Sequence, residues 1–202
     1  YQNSYNYPLS PNVPVMAAPA ALVMGDRVVF YRCGFVGFQD TLWDERGRHY
    51  YRLCTIQGFA DFIFGQGQSF FERCTISVTG RSGYIGYITA QGRSSSAASD
   101  GYVFKDCNVL GDGQVYLGRP WRSYGRVIFY NTFMSDTIVP QGWDPWSAMG
   151  REYQLTFSEY GCSGPGSSKS GRVPWANRAS PEELRPFLSI SYVDGNEGWV
   201  SS

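Results

Sequence analysis

Two phrases fix the period of this chain. VFYRCGFVGFQD (29–40) and YYRLCTIQGFAD (50–61) align without a gap, so Cys33 and Cys54 stand 21 residues apart, as do Asp40 and Asp61. FFERCTISV (70–78) places Cys74 20 residues after Cys54. After the Gly/Ser-rich insertion GRSSSAASDG, YVFKDCNVLGDG (102–113) resumes the frame at Cys107, and VIFYNTFMSD (127–136) carries a weaker copy with Thr132 at the cysteine position. A repeat of about 20 to 25 residues, built from β-branched and aromatic residues and punctuated by glycine, predicts a solenoid. A leucine-rich repeat shares the period but needs an LxxLxL frame that is missing. The sequence therefore predicts an all-β fold, a right-handed parallel β-helix with about three short strands per coil and coils stacked about 4.8 Å apart.

Composition points the same way. Gly is 24 of 202 residues and aromatics reach 17%, while strong helix-forming stretches are few, as expected of many short strands joined by tight turns. The length suits one domain. Residues 1–19 read as an irregular entry segment, 20–143 as coils, and 144–202 as a tail that folds back on the solenoid. Within the tail, SPEELRPFL (180–188) predicts a short C-terminal helix, with Ser180 as N-cap, Pro181 in the first position and Glu183 three residues after the cap.

Several function classes are disfavoured at once. Lys+Arg and Asp+Glu are both 17, which leaves no net basic charge for gripping nucleic acid. No run of 18 apolar residues predicts a membrane span. No leader is visible at the N-terminus, and a removed leader would leave no trace. The five cysteines form no CxxC, which argues against zinc. The expectation is a ladder of buried, reduced thiols, with disulfide pairing between neighbours left open. The single histidine, His49 in GRHYY, reads as a surface or hydrogen-bonded residue, and a Ser-His-Asp triad would have to use it.

The chemistry is expected at the repeated aspartates. If one period is one coil, Asp40 and Asp61 occupy equivalent places on adjacent coils, with carboxylates roughly 5 Å apart. At an effective dielectric near ~20 such charges repel by about 3 kcal/mol, or about two pKa units. Apolar neighbours (Trp43, Phe62, Phe64) strengthen the effect. One aspartate then keeps its proton and the other does not, which yields an acid and a base or nucleophile from identical side chains. Gln39 offers an amide donor beside the first. Arg119 of YLGRPW could pair with one carboxylate and keep it ionised. The alternatives are an exposed aspartate stack at turns and an ordinary structural salt bridge for Arg119.

GFQDTL, DFIFG, YLGRPW and PQGW, in this order and at these separations, resemble the plant and bacterial pectin methylesterases (pectinesterases) from about Ala20 to the C-terminal helix. The resemblance implies a right-handed parallel β-helix. It implies that Asp61 is the nucleophile, Asp40 the general acid/base, Gln39 an oxyanion donor and Arg119 the holder of the nucleophilic carboxylate. Trp121 would contact sugar, and Phe64 and Trp143 would line the groove. The implied activity is hydrolysis of methyl esters of polygalacturonate (pectin) with release of methanol, by a secreted protein at the cell wall. No metal or organic cofactor is implied. Besides pectin, the resemblance implies a proteinaceous inhibitor as partner.

Two departures stand against this pattern. The family carries a second glutamine one coil before Gln39, in a phrase like QAVAL; here the run is APAAL (18–22) and the position is Ala18. The family's catalytic domain is also longer on its N-terminal side. Other readings are a glycosidase, polygalacturonase or lyase on the same fold, and a weak or inactive truncated homologue that binds pectin. Carboxylates about 5 Å apart would suit a retaining glycosidase. The polygalacturonase histidine motif and the lyase calcium cluster are not found.

Overall fold

The computed structural model describes residues 1–7, 10 and 13–200. The chain winds through three parallel sheets, and each of the first five coils gives one strand to each. The first sheet takes Ala21–Val23, Leu42–Asp44, Ile63–Gly65, Ile85–Gln91 and Gln114–Pro120, in that order. The second takes Val28–Tyr31, Arg48–Arg52, Gln68–Glu72, Gly101–Lys105, Arg126–Tyr130 and Thr156–Tyr160. The third takes Gly34–Val36, Thr55–Gly58, Thr75–Val78, Asn108–Gly111 and Phe133–Met134. Neighbouring strands are parallel throughout these sheets. This is the all-β solenoid that the period requires.

The repeat also explains the core. Phe30, Tyr51, Phe71, Phe104 and Phe129 pair in register on the second sheet. Their rings stack at 5.2, 4.5, 4.5 and 4.5 Å in turn. The cysteine frame forms a second ladder. The thiols of Cys54, Cys74, Cys107 and Cys162 donate to carbonyls of Phe30, Tyr51, Phe71 and Phe129, and the Thr132 hydroxyl does the same to Phe104. All five cysteines are free thiols, and the three in the middle are buried. The residue before each ladder position takes the left-handed conformation, from Arg32 (φ 52°) through Leu53, Arg73, Asp106 and Asn131 to Gly161 (φ 65°). A corner of fixed shape therefore recurs on every coil.

The repeat runs farther than the sequence suggests. Thr156–Tyr160 adds a rung to the second sheet, and Ser163 bridges to Phe133. The insertion between Thr132 and Cys162 had hidden this coil. Beyond it the tail turns back over the outer face of the second sheet. There Leu184, Tyr192 and Val193 pack on Tyr50, Phe70, Val103 and Ile128. The expected helix spans Pro181–Leu184 with its Ser180/Glu183 capping box formed, and one 3-10 turn follows.

At the other end, the entry segment lies on the first coil. Gln2 bridges to Val36, the Tyr1 ring stacks on Phe35 at 5.2 Å, and Tyr7 meets Phe38 edge-on at 6.0 Å. Pro8, Leu9, Pro11 and Asn12 of that segment lie outside the described residues.

Candidate active site

Each aspartate is set by the same local device. In GFQD and GFAD the glycine makes a close approach: a Cβ on Gly58 would collide with Phe62, and one on Gly37 would lie 2.7 Å from the Thr41 hydroxyl. The next residue anchors the corner, and Phe38 and Phe59 are buried and stacked at 5.3 Å. The aspartate then takes a left-handed backbone conformation, with φ 60° at Asp40 and 47° at Asp61. Aspartate tolerates that region better than most residues. Gln39 bridges to Ala60, the Asp40 N–H donates to Ala60 O (2.9 Å), and Leu42 pairs with Ile63. Asp40 thus stands one rung from Asp61, at a strand spacing of about 4.8 Å.

Arg119 makes the two aspartates unequal. It lies two coils from Asp61, in register with Ala90 and, through it, with Phe64. Its Nε donates to Asp61 Oδ1 at 2.9 Å and its Nη2 to Oδ2 at 2.6 Å. Burial raises the Asp61 carboxyl, the hydrogen bonds and charge of Arg119 work against that rise, and the charge of Asp144 adds to it, so the carboxyl stays above its ordinary value. Asp40 has no hydrogen bond to its carboxyl among the described residues. Burial first, and the charge of Asp61 second, push it up to about 7. Arg119 thus favours the ionised form of Asp61, whereas Asp40, with no such partner, is the member of the pair that favours the proton.

Arg119 is itself clamped. Its guanidinium lies 3.9 Å from the centroid of the Tyr87 ring and 4.0 Å from that of Trp146. One carboxylate ties both walls together. Asp144 Oδ2 accepts from the Tyr87 hydroxyl (2.9 Å), and Oδ1 accepts from the Trp146 N–H (2.7 Å). Burial and the Asp144 hydrogen bond push the Tyr87 phenol up to about 12, so it remains a donor. Sequence reasoning missed Tyr87, Asp144 and Trp146. The only signal was the second tryptophan of PQGWDPW.

Gln39, Asp61, Arg119 and Tyr87 line an open cleft of about 200 Å³. Trp121 is half-buried and meets Phe64 edge-on at 5.9 Å, and Phe64 stacks on Trp43 at 5.3 Å. Phe64 is only 8% exposed, so it supports this aromatic strip more than it faces solvent. Trp143 requires a correction. Its side chain is 1% exposed, its Nε1 donates to Glu159 at 3.1 Å and its ring stacks on Phe157 at 4.6 Å. It belongs to the core and does not line the groove. Trp146, 43% exposed, stands beside Arg119 instead.

A Ser-His-Asp set does exist, but it is closed. His49, Asp44 and Ser69 are all fully buried. Both ring nitrogens of His49 are engaged, with Asp44 Oδ2 (3.0 Å) and Gly25 O (2.7 Å). Ser69 donates to Asp44 Oδ1 (2.7 Å), and the Tyr51 hydroxyl donates to Oδ2 (2.6 Å). Burial opposes charge on His49, yet Asp44 outweighs it and the imidazole is held above its ordinary value. The serine therefore points at the carboxylate rather than at a substrate, and the cluster satisfies buried polar groups. Among the described residues, no group of three or more His, Cys, Asp and Glu side chains could hold a metal ion.

Fold and site together define a class: a β-solenoid that mounts an unequal carboxylate pair on stacked corners of one wall. Within that class, the pectinesterase family model matches residues 14–196, and the chain belongs to the pectinesterase family. It is 47% identical over 206 residues to Probable pectinesterase 29 of Arabidopsis thaliana, a match covering 99% of this chain and 61% of that protein. Among solved structures, it resembles the pectin methylesterase from carrot (TM-score 0.84, 31% identity, 90% of this chain and 61% of the other). It also resembles one from Aspergillus niger (TM-score 0.79, 36% identity, 91% and 58%). The chain thus spans about three-fifths of the length of these relatives.

Proposed function

We propose that this chain carries the catalytic pair of a pectin methylesterase, which removes methyl esters from methylated polygalacturonate and releases methanol. Such a substrate belongs to plant cell walls, so the site of action would be extracellular. One observation carries the reading: Arg119 forks onto Asp61, while Asp40, one rung away, has no such partner and is pushed up to about 7.

In this mechanism the ionised Asp61 attacks the C6 carbonyl of a methyl-galacturonate. The Gln39 amide, which has no other hydrogen-bond partner among the described residues, stabilises the oxyanion from the wall of the cleft. As the C–O bond breaks, protonated Asp40 gives its proton to the departing methoxide, forming methanol. The resulting anhydride is opened by water, whose proton returns to Asp40. The products are the regenerated Asp61 carboxylate and a galacturonic acid, which gives water's other proton to solvent as it ionises. Trp121 offers a face for the sugar ring beside the reacting unit.

Ala18 favours a second reading, a homologue that binds pectin with little turnover. It is buried, and its N–H donates to Gln39 O at 3.1 Å, so it occupies the corner one coil before Gln39 with only a methyl group to offer. Loss of an oxyanion donor costs about 10²- to 10³-fold elsewhere. Methanol release from methylated pectin decides between them. Release abolished by Asp61→Ala supports the esterase, whereas pectin binding without methanol supports the weak homologue.

A further inference from the structure

The turn between Thr75–Val78 and Ile85–Gln91 adds a second cation to the cleft. The Tyr84 N–H donates to Arg81 O (3.1 Å), and the Arg81 guanidinium lies over the Tyr84 ring, 4.6 Å from its centroid. Arg81, Tyr84 and Ile85 line the same cleft as Asp61, Gln39 and Arg119. Arg119 is committed to Asp61. Arg81, by contrast, has no ion pair and no side-chain hydrogen bond among the described residues. Arg81 is half-buried as a residue, and its guanidinium, held against an aromatic face and left without an anion among the described residues, is an open fork for a carboxylate.

The reaction itself supplies such an anion. Each turnover converts a neutral methyl ester into a carboxylate, so a polymer lying in the cleft comes to carry free acids beside intact esters. Ionised Asp61 repels a free acid in its neighbourhood, and a cation is needed to offset that repulsion. We propose that Arg81 forms a subsite for the free carboxylate of an already de-esterified uronate unit near the ester being attacked. The proposal rests on the esterase reading above. It makes the protein prefer esters flanked by free acid over esters inside fully methylated runs. Tyr84 restricts the side chain before substrate arrives, so less freedom is lost on binding.

The test compares wild type, Arg81→Gln and Arg81→Lys. Arg185→Gln serves as a charge-matched control, since Arg185 lies on the exposed tail. The ratio of kcat/KM on half-methylated to fully methylated oligogalacturonate is measured by methanol release. It is expected to fall about tenfold in Arg81→Gln, mainly through KM, the size of one charge-assisted hydrogen bond. It should recover in part in Arg81→Lys and stay unchanged in Arg185→Gln. In parallel, calorimetry follows binding of fully de-esterified trigalacturonate, which needs no turnover. An unchanged ratio and unchanged trigalacturonate affinity in Arg81→Gln would overturn the subsite, as would an equal loss in Arg185→Gln. If wild type releases no methanol from either substrate, the esterase reading fails. The binding arm then still decides on Arg81: trigalacturonate affinity lost in Arg81→Gln supports the carboxylate subsite, and affinity retained refutes it.

Discussion

Arg119 reaches back across two coils to grip Asp61, with Nε 2.9 Å from Oδ1 and Nη2 2.6 Å from Oδ2. A fork of this kind cannot be reproduced by an ammonium group, which is a point charge on a flexible stem. Arg119→Lys should therefore lower methanol release by about ten- to a hundredfold, the range of a lost charged hydrogen bond. Asp61→Asn should abolish it with the fold intact by circular dichroism. Wild-type turnover by Arg119→Lys would remove the arginine from the mechanism.

The clamp around Arg119 makes a finer prediction. Tyr87→Phe keeps the ring over the guanidinium but deletes the hydroxyl that Asp144 holds. Asp144→Ala frees both the phenol and the Trp146 backbone. If the clamp positions Arg119, kcat should fall about threefold in the first and more in the second, with KM nearly constant. A fall in melting temperature without any change in kcat would assign these groups a purely structural role.

Asp40 makes both activity and stability depend on pH, with a defined sign. Its folded pKa of about 7 lies above the ordinary aspartate value, so between those limits the folded chain holds a proton that the unfolded chain has lost. Stability must fall as pH rises through this window, and the cost is complete above pH ~7. Asp40→Asn stays neutral throughout. It should melt higher than wild type at pH ~8, with the gap closing toward pH ~4, while methanol release is lost at both. On the proposed mechanism Asp40 acts protonated, so wild-type kcat/KM for methyl ester should decline above pH ~7. Equal melting curves at pH ~8 would mean that Asp40 is not held protonated.

The buried serine set offers a clean negative control. Ser69 donates to Asp44 and is sealed from solvent. Ser69→Ala should cost about 1–3 kcal/mol, because it leaves part of a buried carboxylate unsatisfied. It should keep kcat within about twofold, and serine-directed phosphonates should not inhibit the wild type. Inhibition that tracks modification of Ser69 would overturn the aspartate mechanism.

The period and the paired aspartates were legible in the chain because each is written by a local device that recurs. The GFxD corner needs its glycine for a close approach, its phenylalanine as anchor and its aspartate for a left-handed turn, so geometry and spelling repeat together. What was not legible depends on which face of a strand or loop a residue takes. PQGWDPW holds two tryptophans three residues apart, and only the packing sends Trp143 inward to Glu159 and Trp146 outward to Arg119. The last coil was hidden for a related reason. Its strand, TFSEY, puts a glutamate where the preceding rungs carry a ring, so the aromatic frame stops one rung early.

That glutamate supports the last prediction. Phe129 pairs in register with Glu159, so the ring stack ends on a carboxylate buried at 2% exposure. Arg172 returns from the tail to meet it, with Nε 2.8 Å from Oε1 and Nη2 2.8 Å from Oε2, and Trp143 and Asn177 supply further donors. The guanidinium also donates to the carbonyls of Pro140 and Gly166, so it ties three segments to the open end of the core. Removing one partner strands a buried charge, and Arg172→Ala should lower stability by about 3–5 kcal/mol. Replacing both, as in Glu159→Leu with Arg172→Met, removes the desolvation cost along with the pair and should lose much less. Urea midpoints of the two variants test this, and the ordering is the decisive result. If the double variant is the less stable of the two, hydrophobic closure cannot replace the ion pair, and the tail depends on the charge itself to seal the solenoid.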